Sequence, residues 1–174
     1  MTNKVRIAVA ALSLSAAAFV GVLTREGYTE GVVIPTKGDV PTIGFGTTEG
    51  VKHGDRTTPV KAVQRALVDV QKYEGALKRC VRVPMYQEEW DTYVPLSYNI
   101  GATNFCTNRK TGGPSNLVRN LNAGNYAEAC AAILEYKYAA GYDCSTLVDG
   151  KPNKRCYGVW KDRVQAHAKC MAAQ

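Results

Sequence analysis

The sequence predicts an α+β fold, mainly helical, with one small hairpin or sheet near its N-terminal end. Three observations carry that expectation. Strand and turn signals are confined to one stretch after Glu26, apolar residues recur at helical spacing through most of the chain beyond it, and no internal repeat or low-complexity tract breaks the pattern. A length of 174 residues fits one domain, and 45% hydrophobic with 21% charged residues excludes extended disorder.

The elements are taken in chain order. Lys4 and Arg6 precede Ile7–Leu23, a run without a charge, which is the arrangement of an export signal or a membrane anchor. The run is short for a bilayer and diluted by Ser13, Ser15, Gly21 and six alanines. A cleaved signal, a permanent anchor and a helix that enters the membrane and later leaves it all fit, and each delivers the rest of the chain across the inner membrane. Gly31–Pro35, the turn at Lys37-Gly38-Asp39, and Val40–Thr48 read as a hairpin or three-stranded sheet. Thr58-Pro59 is an N-cap followed by proline at the first helical position, and Val60, Val63, Leu67, Val70 and Leu77 continue a long amphipathic helix over 59–79. Thr92–Ile100 reads as a buried helix kinked or interrupted near Pro95. Ser115 caps a short helix, residues 126–138 form another, 141–158 read as loop, and Trp160, Val164 and Met171 mark a final helix.

Charge and cysteines restrict the function classes. Lys plus Arg outnumber Asp plus Glu by 22 to 15, a net charge of +7 that suits an anionic partner or a solvated basic surface. The basic residues are dispersed rather than striped along one helix, so no nucleic-acid partner is expected. His53 and His167 lie far apart, and the six cysteines contain no Cys-x-x-Cys pair, so neither a metal site nor another cofactor is expected. An even cysteine set behind an export segment points to disulfides, with fifteen connectivities open.

Glu26-Gly27, then Thr42-Ile43-Gly44-Phe45-Gly46, a long connecting helix, Tyr98-Asn99-Ile100-Gly101 and Leu121-Asn122-Ala123-Gly124 occur in one order. The ordered set resembles the bacteriophage-type lysozymes, the endolysins of glycoside hydrolase family 24, over about residues 24–174. The resemblance implies a lysozyme-like fold of two lobes joined by a long helix. It also implies a monomer that hydrolyses the bond between N-acetylmuramic acid and N-acetylglucosamine in peptidoglycan. Such chemistry needs a carboxylic acid that protonates the leaving oxygen. Glu26 matches that position, beside an apolar segment whose burial would raise its pKa. Thr42 matches the family residue whose hydroxyl orients water. The family places an Asp six residues before that threonine, where this chain has Thr36; either the nearby Asp39 serves as second carboxylate, or Thr36 and Thr42 position the water. Tyr98 and Asn99 are candidates to line the sugar groove, with core packing as the alternative. An exported wall-binding or inhibitor protein without catalysis is the competing reading, and it would need no Glu26.

Cys144 and Cys156 bracket a polar stretch resembling an insertion relative to shorter family members, so a local pair there is the economical choice. In the related fold the last helix packs near the 126–138 helix, which implies Cys130–Cys170 and leaves Cys80–Cys106. The N-terminal segment resembles that of signal-arrest-release endolysins, exported as tethered, inactive precursors. It divides the chain into an anchor over 1–24 and a catalytic domain over 25–174. Residues 7–23 would hold the enzyme at the outer face of the host inner membrane until release into the periplasm, because the helix leading to Glu26 cannot lie in lipid and pack on the domain at once.

Overall fold

The computed structural model describes residues 4–35, 38, 40–148 and 150–174. The polypeptide folds as α1 (Ala16–Glu26), β1 (Thr29–Val33), β2 (Thr42–Gly44), α2 (Pro59–Cys80), α3 (Gln87–Ile100), α4 (Ala102–Cys106), α5 (Asn116–Asn122) and α6 (Tyr126–Ala131). Two short strand pairs come next, β3 (Tyr138–Ala139) with β4 (Tyr142–Asp143) and β5 (Leu147–Val148) with β6 (Lys151–Pro152), before α7 (Tyr157–Ala172) closes the chain.

One lobe is the antiparallel pair β1–β2, with Thr29 opposite Gly44 and Val33 opposite Thr42. An isolated bridge from Gly31 to Arg56 extends it, so the sequence's hairpin is the form adopted. Ile43 is buried in this lobe, as are Ala62 and Ala66 of α2. Gly44 sits at φ +67°, and a Cβ there would lie 2.9 Å from that of Ala62, so only glycine lets the strand close on the helix. The other lobe is helical, its core drawn from Val70 and Leu77 of α2, Trp90, Tyr93 and Val94 of α3, Phe105, Leu117, Leu121 and Ile133. Helix α2 spans both lobes; at 1.5 Å per residue it is about 33 Å long. It starts as the sequence indicates, with the Thr58 hydroxyl accepting from Lys61 N–H and Pro59 in the first turn.

Helix α3 is continuous through Pro95, which excludes the interrupted one of its two sequence readings; burial of Trp90, Tyr93, Val94 and Leu96 outweighs the hydrogen bond that proline removes. Two expectations need correction. The 126–138 helix ends at Ala131 and tightens into a 3₁₀ turn over Ala132–Glu135. The 141–158 stretch is not simply loop: it carries β4 and the β5–β6 pair, fastened by Cys144–Cys156. The other cystines are Cys80–Cys106, joining α2 to α4, and Cys130–Cys170, joining α6 to α7.

The N-terminal segment is built into the domain. Residues 4–15 form an extended strap with one 3₁₀ turn at Val9–Ala11, and only from Ala16 does the chain become α-helical. Ser15 caps α1, its hydroxyl accepting from Ala18 N–H at 3.1 Å. Ile7 exchanges backbone hydrogen bonds with Met85 (2.7 and 2.8 Å), and Val9 and Leu12 are buried in the helical core. Two carboxylates receive N–H groups of the strap: Glu74 accepts from Leu14 at 2.6 Å and from the Trp90 indole at 2.9 Å, and Asp91 accepts from Ser15 at 2.9 Å. Near the strap's start, the Arg6 guanidinium lies 4.1 Å from the Tyr86 ring centre and 3.6 Å from that of Tyr126. It also donates to both oxygens of Glu89, whose side chain is fully buried, at 3.1 and 3.3 Å. Among the described residues no helix is long and apolar enough to cross a membrane.

Candidate active site

Glu26 is the last residue of α1. Gly27, at φ +70°, ends the helix and turns the chain into β1, leaving the Glu26 side chain at the junction of the two lobes. Its carboxyl lies against Gly46, where a Cβ would come within 3.0 Å of Oε2; the glycine, at φ +86°, makes room for the acid. Although the residue stays open to solvent, partial loss of hydration raises the carboxyl's pKa. The neighbouring Arg25 opposes that shift, and the Asp162 carboxylate adds to it. The last-turn carbonyls of α1 carry partial negative charge and act in the raising direction too.

A cavity of about 460 Å³ opens in front of Glu26. Gly46, Thr48 and Glu49 line it from the sheet lobe, Asp69, Lys72, Tyr73, Ala76 and Arg79 from α2, and Tyr98, Asn99 and Ala102 from the helical lobe. Tyr98 donates its hydroxyl to the Phe45 carbonyl at 3.0 Å, which ties the lobes together across the cavity. Its ring packs against Tyr73 with centres 5.1 Å apart, and burial raises the phenol's pKa. Asp69 accepts from the buried Thr47 hydroxyl at 2.7 Å and pairs with Lys72 at 3.4 Å, and Lys72 also pairs with Glu49. That pairing holds the Glu49 carboxyl below its usual range. Asn99, also on the cavity wall, is held by Arg163, which is buried on α7.

Of the residues singled out from sequence, Glu26, Tyr98 and Asn99 line one cavity. Thr42 is not among the lining residues; its hydroxyl donates to the Val40 carbonyl at 3.0 Å from the first position of β2. Asp39 and Thr36 lie outside the described residues. Sequence reading missed Asp69, Thr47 and Arg163. The signal for Asp69 was present: Asp69, Lys72, Tyr73 and Ala76 recur three and four apart, giving α2 a second, polar face. Thr47 and Arg163 carried no such signal, because their partners are distant in sequence. Among the described residues no cluster of three His, Cys, Asp or Glu side chains is placed to hold a metal ion.

A sequence profile of the family described as phage lysozyme matches residues 24–155. The chain is 33% identical over 140 residues to the SAR-endolysin of Pseudomonas phage phiKMV, covering 80% of this chain and 82% of that protein. It is 32% identical over 141 residues to the endolysin of Salmonella phage P22, covering 76% and 91% respectively. Among solved structures it superposes on the endolysin from Escherichia coli O157:H7 phage FAHEc1 with a TM-score of 0.70 at 26% identity, over 94% of this chain and 96% of that one.

Proposed function

Since the chain belongs to the phage lysozyme family, and is an endolysin and glycoside hydrolase acting on peptidoglycan, we propose that Glu26 is its catalytic acid. The observation that carries this reading is the Glu26 carboxyl packed against Gly46 at the edge of the interlobe cavity, with a raised pKa. A carboxyl that keeps its proton can give it to the glycosidic oxygen between N-acetylmuramic acid and N-acetylglucosamine as the C1–O bond breaks. The cationic charge growing on the sugar ring is then met by the ionised Glu26. Water completes the reaction by bonding to C1 and losing a proton to a second base. Asp39 takes that proton, or Thr36 and Thr42 hold the water and solvent takes the proton; Asp39→Asn distinguishes the two, since near-normal lysis by that variant removes Asp39 from the mechanism. An acid and a distant base separated by ~6.5–9.5 Å give inversion at C1. NMR of the first-formed anomer on a chitooligosaccharide checks it, and a retained configuration contradicts it. The decisive experiment adds purified enzyme to outer-membrane-permeabilised Gram-negative cells and tracks turbidity. Clearing by wild type and none by Glu26→Gln supports the assignment; equal clearing by both overturns it.

The tethered-precursor reading extends this proposal. Residues 7–23 hold the monomeric enzyme at the inner membrane, and the released segment refolds to build α1 and the strap. The support is the similarity to a SAR-endolysin together with a chain whose first apolar run is shared between a marginal membrane segment and the wall of the domain.

A further inference from the structure

We infer that Asn99 serves the cavity as a one-way hydrogen-bond donor, fixed in that sense by Arg163, and that it takes an amide carbonyl of the glycan substrate. The inference rests on the peptidoglycan reading of this cavity. Arg163 is only 3% exposed, so its position is set by what surrounds it. Its Nε donates to the Tyr136 carbonyl at 3.0 Å, and its Nη2 donates to Asn99 Oδ1. A guanidinium offers N–H donors and no acceptor, so the Asn99 atom facing it is the amide oxygen and the side chain cannot be flipped. That leaves Nδ2 with its two hydrogens. Asn99 is exposed where it lines the cavity, and among the described residues its Nδ2 donates to none. A cation on the amide oxygen also polarises the group and strengthens its N–H bonds as donors.

The complement of a fixed donor is an acceptor. Sugar hydroxyls both give and accept, so such a site discriminates little among them. An amide carbonyl only accepts. Peptidoglycan offers amide carbonyls in its N-acetyl groups and in the lactyl–peptide linkage, and substrates stripped of one or the other distinguish these sources. Asn99 is thus a specificity residue, and Arg163 is a positioning residue that acts through it.

The test uses soluble peptidoglycan fragments in three forms: intact, N-deacetylated, and trimmed of stem peptides by an amidase. Asn99→Asp keeps an acceptor for Arg163 but replaces the donor with a second acceptor. On intact fragments its KM should rise about tenfold with kcat within about twofold, the loss of one well-made hydrogen bond, and the thermal midpoint should hold. On the fragments lacking the recognised carbonyl, variant and wild type should converge. Asn99→Ser should give the same pattern without an added charge. Arg163→Leu, which frees the amide to flip, should reproduce the KM rise, and Arg163→Lys, which still donates to Oδ1, should restore most of the affinity. Three outcomes overturn the inference: an unchanged KM for both Asn99 variants, a loss that persists on both modified substrates, or a fall confined to kcat. No cleavage of intact fragments by wild type would overturn the peptidoglycan reading itself, and this inference with it.

Discussion

Glu26 holds its proton more tightly in the folded enzyme than in the unfolded chain, and linkage gives the sign of the consequence. Below the ordinary carboxylate range the group is protonated in both states and has no effect on stability. As pH rises through the raised folded value, the folded state must carry a partly desolvated charge, so stability falls. Glu26→Gln should therefore be lytically inactive yet no less stable than wild type near neutral pH, with the difference vanishing in acid. Urea unfolding at two pH values checks this, and a wild type clearly more stable than the variant at neutral pH contradicts it. Arg6 is the opposite case, a charge that stabilises. Removing it leaves the fully buried Glu89 carboxylate without its guanidinium and leaves two tyrosine rings without the cation between them. Arg6→Ala should cost about 3 kcal/mol, measured by denaturant unfolding, and Glu89→Gln in the Arg6→Ala background should recover part of that. If the second change only adds to the first, the carboxylate was not the source of the loss. At this scale the place of Glu26 on the cavity was legible because a glutamate at a helix end stood in a recognisable order with Gly27 and Thr42. Arg6 was legible only as an export signal, since nothing in a sequence joins residue 6 to residue 89.

Among elements, legibility tracks range. Helix α2 could be read almost to its ends because Thr58, Pro59 and a heptad-like apolar stripe are local signals. The short strands β3–β6 could not, because each has two residues, too few to show alternation. At Pro95 the sequence left a kink or a break open; the break does not occur because α3 is held by burial on several sides, although proline's effect on an isolated helix is large. The disulfide Cys144–Cys156 spans 12 residues and staples the two small strand pairs to the start of α7. On chain-entropy grounds its loss should cost up to ~3 kcal/mol. Because neither cysteine lines the cavity, Cys144→Ser with Cys156→Ser should melt lower while lysing at the wild-type rate. A loss of activity in step with the melting shift, at temperatures well below the midpoint, would instead place the staple in the working machinery.

For the whole molecule, the first 26 residues are what the sequence conveyed least. Hydropathy reports an apolar run and cannot say whether lipid or protein covers it. In the folded enzyme Val9, Leu12 and Val22 are buried, while Val5 and Val20 remain open. The two environments can be separated at Gly21, where an added Cβ would meet nothing within 4 Å. Gly21→Leu strengthens a membrane helix and also favours the soluble one by about 1 kcal/mol. Purified variant should therefore be as stable and active as wild type, yet on the tethered-precursor reading it should lyse cells late. Wild-type timing would defeat the release mechanism. Changes at Ser15 would not give as clean an answer, since its hydroxyl caps α1.

The contacts of Lys4 and Arg6 also have an electrical meaning. In the folded enzyme both cations lie on the domain, Lys4 paired with Glu88 at 2.7 Å and Arg6 with Glu89. In a tethered precursor both precede the membrane segment and stand on its cytoplasmic side. Going from one state to the other carries two positive charges outward, against an interior-negative voltage. At ~2.3 kcal/mol per charge per 100 mV, that work is about 4–5 kcal/mol for each 100 mV. The two residues would then act as gating charges: an energised membrane holds them in place, and depolarisation lets the strap pass. Lys4 is the one to change, since its ion pair is half-exposed and contributes little to the fold. Lys4→Gln should shift release to smaller depolarisations, read as the fraction of enzyme leaving membranes across graded ionophore doses. An unchanged threshold would mean that voltage does not act through these charges.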